Sequence, residues 1–361
     1  MVQKKIVILT EGKSNPLDAK TACGVIRYRT AEVVAVLDST QRGRKAGEVL
    51  GVGGAIPIVG SLSEAPEADT LLIGIAPAGG NLPEVWRPVL REAIGRGMDI
   101  VSGLHFFIED DPELSGLAQA KGVRIWDVRR PAPDLTVSAN RARDLPCLRV
   151  HTVGNDCNCG KMLTAIEVDA GLRRMGRRSE FVATGQTGIL IAGRGVPIDR
   201  VISDFVAGAI EQEVLERTEA EFLLIEGQGS LIHPLFSGVT LGLLHGCAPQ
   251  AMILCYEAGR REVRHGRMPF PPLREVLEIY ERMAGILCPS RVIGIGANTR
   301  LLSPAEAEKE VKSVEDTLCL PATDVVRYGA QPLVDAVLRE EERRKEAAGG
   351  TATAQQIRGR P

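Results

Sequence analysis

The stretch VGNDCNCGKMLTAIEV, residues 153–168, carries the densest chemistry in the chain. Gly154, Asn155, Asp156, Cys157, Asn158, Cys159, Gly160 and Lys161 approximate the G-x-x-x-x-G-K pattern of phosphate-binding loops. In such a loop, backbone N–H groups and the positive end of the following helix converge on one anion. The expected ligand carries two or more phosphates, with Lys161 as a point charge on the outer one. The next residue departs from the pattern. It is Met162, where a Ser or Thr hydroxyl would hold magnesium, and a thioether is a poor ligand for a cation that demands hard oxygen donors. Thr164 offers the nearest hydroxyl, yet on a helix it lies about 200° around the axis from Met162. The loop therefore reads as a grip on a pyrophosphate in which tight Mg-ATP use is disfavoured.

A second cluster is EFLLIEGQGSLIHP, residues 221–234. An acid at the carboxyl end of a core strand beside such a loop either holds magnesium or serves as a general base in a partly dry cleft. Glu226 is that acid, Gln228 a polar neighbour and His233 a second acid/base candidate; if Mg-ATP is used, Asp204 joins Glu226 as a metal ligand. Residues 183–211, ATGQTGILIAGRGVPIDRVISDFVAGAIE, offer substrate contacts on a loop: Gln186, Thr187 and Arg194, the last able to grip a carboxylate bidentately. A helix is expected to begin at Pro197, with Asp199 and Asp204 in its first turns. Residues 256–272 with Arg274 just beyond bring together Arg260, Arg261, Arg264, Arg267 and His265, as an anion-binding rim or a solvated loop.

These residues need a scaffold, and the apolar pattern supplies one. KIVIL, EVVAVL, TLLIGI, DIVSG and VRIWDV alternate with amphipathic stretches such as Leu82 to Arg96, the βαβ rhythm of a doubly wound parallel sheet. RRPAPDL, residues 129–135, interrupts it with two prolines. The rhythm restarts at CLRVHTVG and continues through SEFVATG, EFLLIEG, AMILCY and RVIGIGAN, with a helix from about Lys161 to Met175. The fold class is α/β with two doubly wound parallel-sheet domains, residues 1–135 and 146–346, and a disordered polar tail at 347–361. The first domain lacks G-x-G-x-x-G. Asp38, ending VVAVLD, could meet a ribose hydroxyl, and GIAPAGGNLPE, residues 74–84, could let a cofactor approach closely.

Composition narrows the partners. The formal net charge is -2 with no long basic tract, which argues against nucleic acid. No apolar run approaches the roughly 20 residues of a bilayer span, and the first apolar run ends at Thr10 as a strand rather than a signal peptide. A cytoplasmic protein with no membrane partner is expected, its eight cysteines reduced. The C-x-C of Cys157 and Cys159 has no second Cys or His pair in sequence and reads as small residues in a curling loop. Two α/β domains commonly assemble as symmetric homo-oligomers.

Taken with AKTACGVIRYRTAEVVAVLDS, the motifs VGNDCNCGKMLTAIEV, GQTGILIAGRGVPIDRVISDFVAGAIE and LLIEGQGSLIHP resemble domain-of-unknown-function family 1611 over residues 5–335. The resemblance implies a Rossmann-like domain followed by a P-loop domain. It also implies D-glutamate N-acetyltransferase activity with acetyl-coenzyme A, alongside a partner enzyme that later removes the acetyl group. The second domain is also similar to dethiobiotin synthetase, whose loop opens G-T-D and whose acidic strand ends E-G-A-G-G. Here these are Gly154-Asn155-Asp156 and Glu226-Gly227-Gln228-Gly229. That similarity implies the alternative, a Mg-ATP-dependent carboxylate-activating ligase or kinase; a non-catalytic nucleotide-binding protein is the third reading. The stretch from IPIVGSLSEAPEADTLLIGIAP to AIGRGMDIVSG resembles the coenzyme A-binding domain of succinyl-CoA synthetase, a second place for the coenzyme. The acetyltransferase reading assigns Glu226, backed by His233, as base. Lys161 and the loop amides hold pyrophosphate, while Arg194, Gln186 and Thr187 hold an acidic amino acid.

Overall fold

The computed structural model describes residues 4–75 and 80–358, with side chains described as far as 347. It forms two compact units, Met1–Ala132 with Gly185–Arg200, and Pro133–Thr184 with Val201–Pro361. Each contains one six-stranded parallel sheet. Strands buried on both faces explain why the sequence shows continuous Val/Ile/Leu runs rather than alternation.

In the first unit the strands are β1 (Ile6–Leu9), β2 (Val33–Leu37), β3 (Ile58–Val59), β4 (Thr70–Ile73), β5 (Asp99–Ser102) and β6 (Ile125–Asp127). Their order is β3-β2-β1-β4-β5-β6. The helix expected from Leu82 begins as a short turn, Glu84–Trp86, and runs Arg87–Gly95. Part of the GIAPAGGNLPE loop, residues 76–79, lies outside the described residues.

Asp38 does not present its carboxylate for a ribose. It is fully buried and accepts hydrogen bonds from Gly12 N–H, the Ser14 hydroxyl, and the N–H and hydroxyl of Thr40. Burial alone would raise its pKa, but these donors together hold it below the ordinary aspartate range. A depressed native pKa stabilises the fold above the unfolded value and loses that stabilisation as pH falls. Asp38→Asn is therefore expected to lower stability by about 1–3 kcal/mol at pH 7, and the deficit is expected to shrink as pH drops below about 4. Denaturant melts of both proteins at pH 7 and pH 3 check this, and a deficit that is the same at both would refute it.

The second unit holds β7 (Leu148–Gly154), β8 (Ser179–Val182), β9 (Phe222–Ile225), β10 (Ala251–Glu257), β11 (Arg291–Asn298) and β12 (Ala322–Thr323), in the order β12-β11-β10-β7-β9-β8. β7 is buried along its whole length between β10 and β9. Its carboxyl end feeds the glycine loop and then helix Lys161–Arg174.

Residues 185–200 depart from the sequence reading, which kept them in the second domain as a loop. Gln186–Ala192 is a helix of the first unit. Its buried Ile189 and Leu190 account for this placement, together with two polar ties to the Lys20–Tyr28 helix region. The Thr187 and Thr21 hydroxyls lie 2.9 Å apart, and Arg29 Nη1 donates to Leu190 O at 2.8 Å. Nor does a helix begin at Pro197. Short turns at Ile198–Arg200 and Ser203–Phe205 precede helix Val206–Leu215, so Asp199 and Asp204 stand ahead of it.

The last helix, Gln331–Arg358, runs across most of the stretch expected to be a disordered tail. Ahead of that stretch, Glu340 with Arg343 and Arg344, and Glu341 with Lys345, form i,i+3 and i,i+4 pairs that support the helix leading into it. Residues 359–361 lie outside the described residues. Among the described residues, no helix is long and apolar enough to cross a membrane.

Candidate functional site

The glycine loop is one residue longer than the G-x-x-x-x-G-K pattern: five residues, 155–159, separate Gly154 from Gly160. The backbone absorbs the extra residue by adopting left-handed conformations at Asn158 (φ 56°) and Gly160 (φ 109°). Such turns gather N–H groups into an anion-binding concavity. Close packing fixes the loop's base. A Cβ on Gly154 would lie 2.6 Å from Cys159 Sγ, and one on Gly227 would lie 1.8 Å from Thr152 O. The Lys161 stem passes between these two glycines, with its Cδ 3.3 Å and 2.9 Å from the same positions.

Asp156 organises the loop from within. It is fully buried, and its carbonyl accepts hydrogen bonds from Lys161 Nζ at 2.6 Å and Cys159 Sγ at 3.1 Å. Its carboxylate accepts from Arg260 Nη1 at 2.6 Å and from Arg264 N–H at 2.9 Å. Arg260 also pairs with Glu257 at the end of β10, and Glu257 pairs with Arg300. Tyr280 ties the loop to the acidic segment, its hydroxyl donating to Gly154 O and accepting Leu231 N–H. Sequence reasoning missed Glu257, Arg300 and Tyr280 because nothing in their local spacing marks them. Arg260 lies 104 residues from its partner Asp156.

Glu226 follows β9, directly beside the loop. It is buried, its Oε2 accepts Thr184 N–H at 2.9 Å, and its carbonyl accepts the Thr184 hydroxyl. The next residue, Gly227, donates its N–H to Thr152 Oγ1 and abuts the Lys161 stem. Gln228 Nε2 reaches the same Thr184 hydroxyl at 3.2 Å. Glu226, Gln228 and Lys161 thus belong to one rim at the carboxyl ends of β7 and β9, where α/β sheets bind ligands.

His233, the second acid/base candidate, is held at both ring nitrogens. Its Nδ1 accepts Leu235 N–H and its Nε2 lies 2.8 Å from Arg264 O, so in the tautomer that satisfies both contacts each ring nitrogen is engaged. Nε2 also lies 3.5 Å from Asp156. Asp156, Cys157 and His233 bring one potential metal-ligand atom each within 4.8 Å of one another. The Arg260 guanidinium already supplies the positive charge on that carboxylate.

Thr164 is buried against the sheet, 3.5 Å from Cys255 Sγ and beside Gly296, so its hydroxyl points into the core. Met162 is half-buried at the start of the helix. On β7, His151 is buried and neutral, pushed down to about 4 by burial and by the nearby Lys161 charge. Gln186, Thr187 and Arg194 belong to the first unit. There Gln186 packs against Gly103, Thr187 is buried on Thr21, and Arg194 is exposed. Asp204 is exposed in its turn.

Residues 136–334 match the P-loop domain of a family described as a domain of unknown function, DUF1611, and residues 39–131 match its Rossmann-like amino-terminal domain. The chain belongs to the DUF1611 family. A DUF1611 protein from Anabaena variabilis has a crystal structure that superposes with a TM-score of 0.88 at 40% identity, covering 93% of this chain and 99% of that one. A curated relative from Tritonibacter scottomollicae is 37% identical over 93% of this chain and 99% of its own length. Another, from a Pseudoalteromonas species, is 37% identical over 74% of this chain and 80% of its own. Both bear the name D-glutamate N-acetyltransferase.

Proposed function

We propose that this DUF1611 protein is an N-acetyltransferase that moves an acetyl group from acetyl-coenzyme A to the amine of an acidic amino acid, D-glutamate. The observation that carries the reading is the 37% identity to a D-glutamate N-acetyltransferase across almost the whole of both chains. The loop chemistry supports it. A concavity of N–H groups with a buried lysine suits the pyrophosphate of coenzyme A. With Met162 at the magnesium position and the Thr164 hydroxyl turned into the core, anion binding here rests on amides and Lys161.

Glu226 is the base in this reading. Its carboxylate takes a proton from the substrate ammonium, and the freed nitrogen attacks the thioester carbonyl carbon. The C–S bond then breaks, the acetyl group stays on nitrogen, and the coenzyme sulfur leaves as thiolate and takes up the second proton that the nitrogen sheds as it becomes an amide. Thr184 N–H orients the Glu226 carboxylate. His233 acts as a positioning residue that fixes Arg264 and the Asp156 end of the loop.

An acid beside a P-loop lysine is also what magnesium-dependent nucleotide sites use, so a Mg-ATP ligase or kinase is the competing reading. Mass spectrometry of parallel incubations separates the two. With acetyl-coenzyme A and D-glutamate, the account expects glutamate heavier by one acetyl group. With Mg-ATP and D-glutamate, it expects unchanged ATP. ADP or AMP formed in the second incubation, with no acetylated product in the first, would favour the competing reading.

A further inference from the structure

The arginine-rich segment after β10 is a hairpin fastened to the P-loop. Its stem is closed by a bridge between Glu262 and Pro269 and by hydrogen bonds from Val263 N to Met268 O and from Phe270 N to Arg261 O. At its tip, His265 and Arg267 both adopt left-handed backbone conformations, φ 61° and 53°, which side-chain-bearing residues rarely take. Three main-chain contacts hold the tip. Arg264 N–H donates to Asp156 Oδ2, Arg264 O lies 2.8 Å from His233 Nε2, and Gly266 lies against Pro234. The anchoring thus uses the Arg264 backbone and leaves its side chain for something else.

The charges divide accordingly. Arg260 and Arg300 are neutralised by Glu257 and Asp156. Arg274, grouped with the others in sequence, donates to Thr317 O away from the hairpin. Among the described residues, no carboxylate pairs with Arg261, Arg264 or Arg267, of which Arg261 and Arg267 are exposed and Arg264 half-buried. Glu262, also exposed, is the one acid on the hairpin stem. The hairpin thus carries three arginine side chains without a carboxylate partner among the described residues, on a backbone tied to the glycine loop at Asp156.

We infer that the 261–267 hairpin binds the 3′-phosphate of coenzyme A through Arg264 and Arg267, and so selects coenzyme A over nucleotides that lack that group. The inference rests on the acetyl-coenzyme A reading above. Coenzyme A differs from ADP-like ligands in carrying a phosphate monoester on the ribose in addition to its pyrophosphate. Guanidinium groups match such an oxyanion bidentately and are weakly hydrated. Arg261, farther down the stem, adds long-range attraction that salt screens.

Calorimetric titration of the full chain with coenzyme A, 3′-dephospho-coenzyme A and ADP tests the assignment. The wild-type protein is expected to bind coenzyme A about tenfold more tightly than the dephospho form. The Arg264→Ala/Arg267→Ala variant is expected to lose that preference while keeping its affinity for the dephospho form, because the main-chain anchors survive. Equal binding of the two coenzymes by wild type, which needs no variant, would overturn the hairpin assignment alone, as would a preference that survives in the double variant. Binding of ADP with neither coenzyme would overturn the acetyl-coenzyme A reading and the hairpin assignment together.

Discussion

Glu226→Gln is expected to lower kcat about 10²- to 10⁴-fold, the usual worth of a general base, with coenzyme affinity changed by less than about threefold. The substitution keeps the size of the side chain and an oxygen for Thr184 N–H, so the local fold is preserved. What it removes is the capacity to take a proton from the attacking ammonium. Without that step the nitrogen lone pair is unavailable to the thioester. Stopped-assay turnover and coenzyme titration on the same preparation distinguish the roles. A fall in affinity as large as the fall in turnover would remove Glu226 as the base.

Lys161→Met is expected to show the opposite split. Loss of a charge-assisted contact to phosphate weakens coenzyme binding about 10- to 100-fold, while turnover at saturating coenzyme falls less. The aliphatic stem is retained between Gly154 and Gly227, and the Asp156 carbonyl keeps its contact with Cys159, so the loop is expected to hold its shape. Lys161→Arg is not a conservative control, because a planar guanidinium fork replaces a compact ammonium point charge. Unchanged coenzyme affinity in Lys161→Met would place the pyrophosphate elsewhere, the first unit being the other place suggested by sequence.

Much of this architecture was legible because the relevant signals are local. β7, the glycine loop and its helix are consecutive, and the long buried strands announce themselves as apolar runs. β3 and β12 escaped because two residues each cannot show a period. The helix Gln186–Ala192 reads as a loop in sequence because its glycines outweigh a short apolar stretch whose packing partner lies more than a hundred residues earlier. Thr164 could be turned away from the ligand by helix geometry alone, and the structure agrees. His233 could not be judged in the same way. Its commitment to Leu235 and Arg264 depends on a hairpin 31 residues away. Asp38 likewise reads as a ligand-facing acid in sequence, because the four donors from Gly12, Ser14 and Thr40 that converge on it leave no local pattern.

Acetyl transfer from a coenzyme held at the P-loop without magnesium is tested most directly by the rate of thiol release from acetyl-coenzyme A with D-glutamate, with L-glutamate and with no acceptor, each with and without EDTA. The account predicts release that requires D-glutamate and is unchanged by EDTA. Release abolished by EDTA, or none with any acceptor while Mg-ATP is consumed, would contradict it.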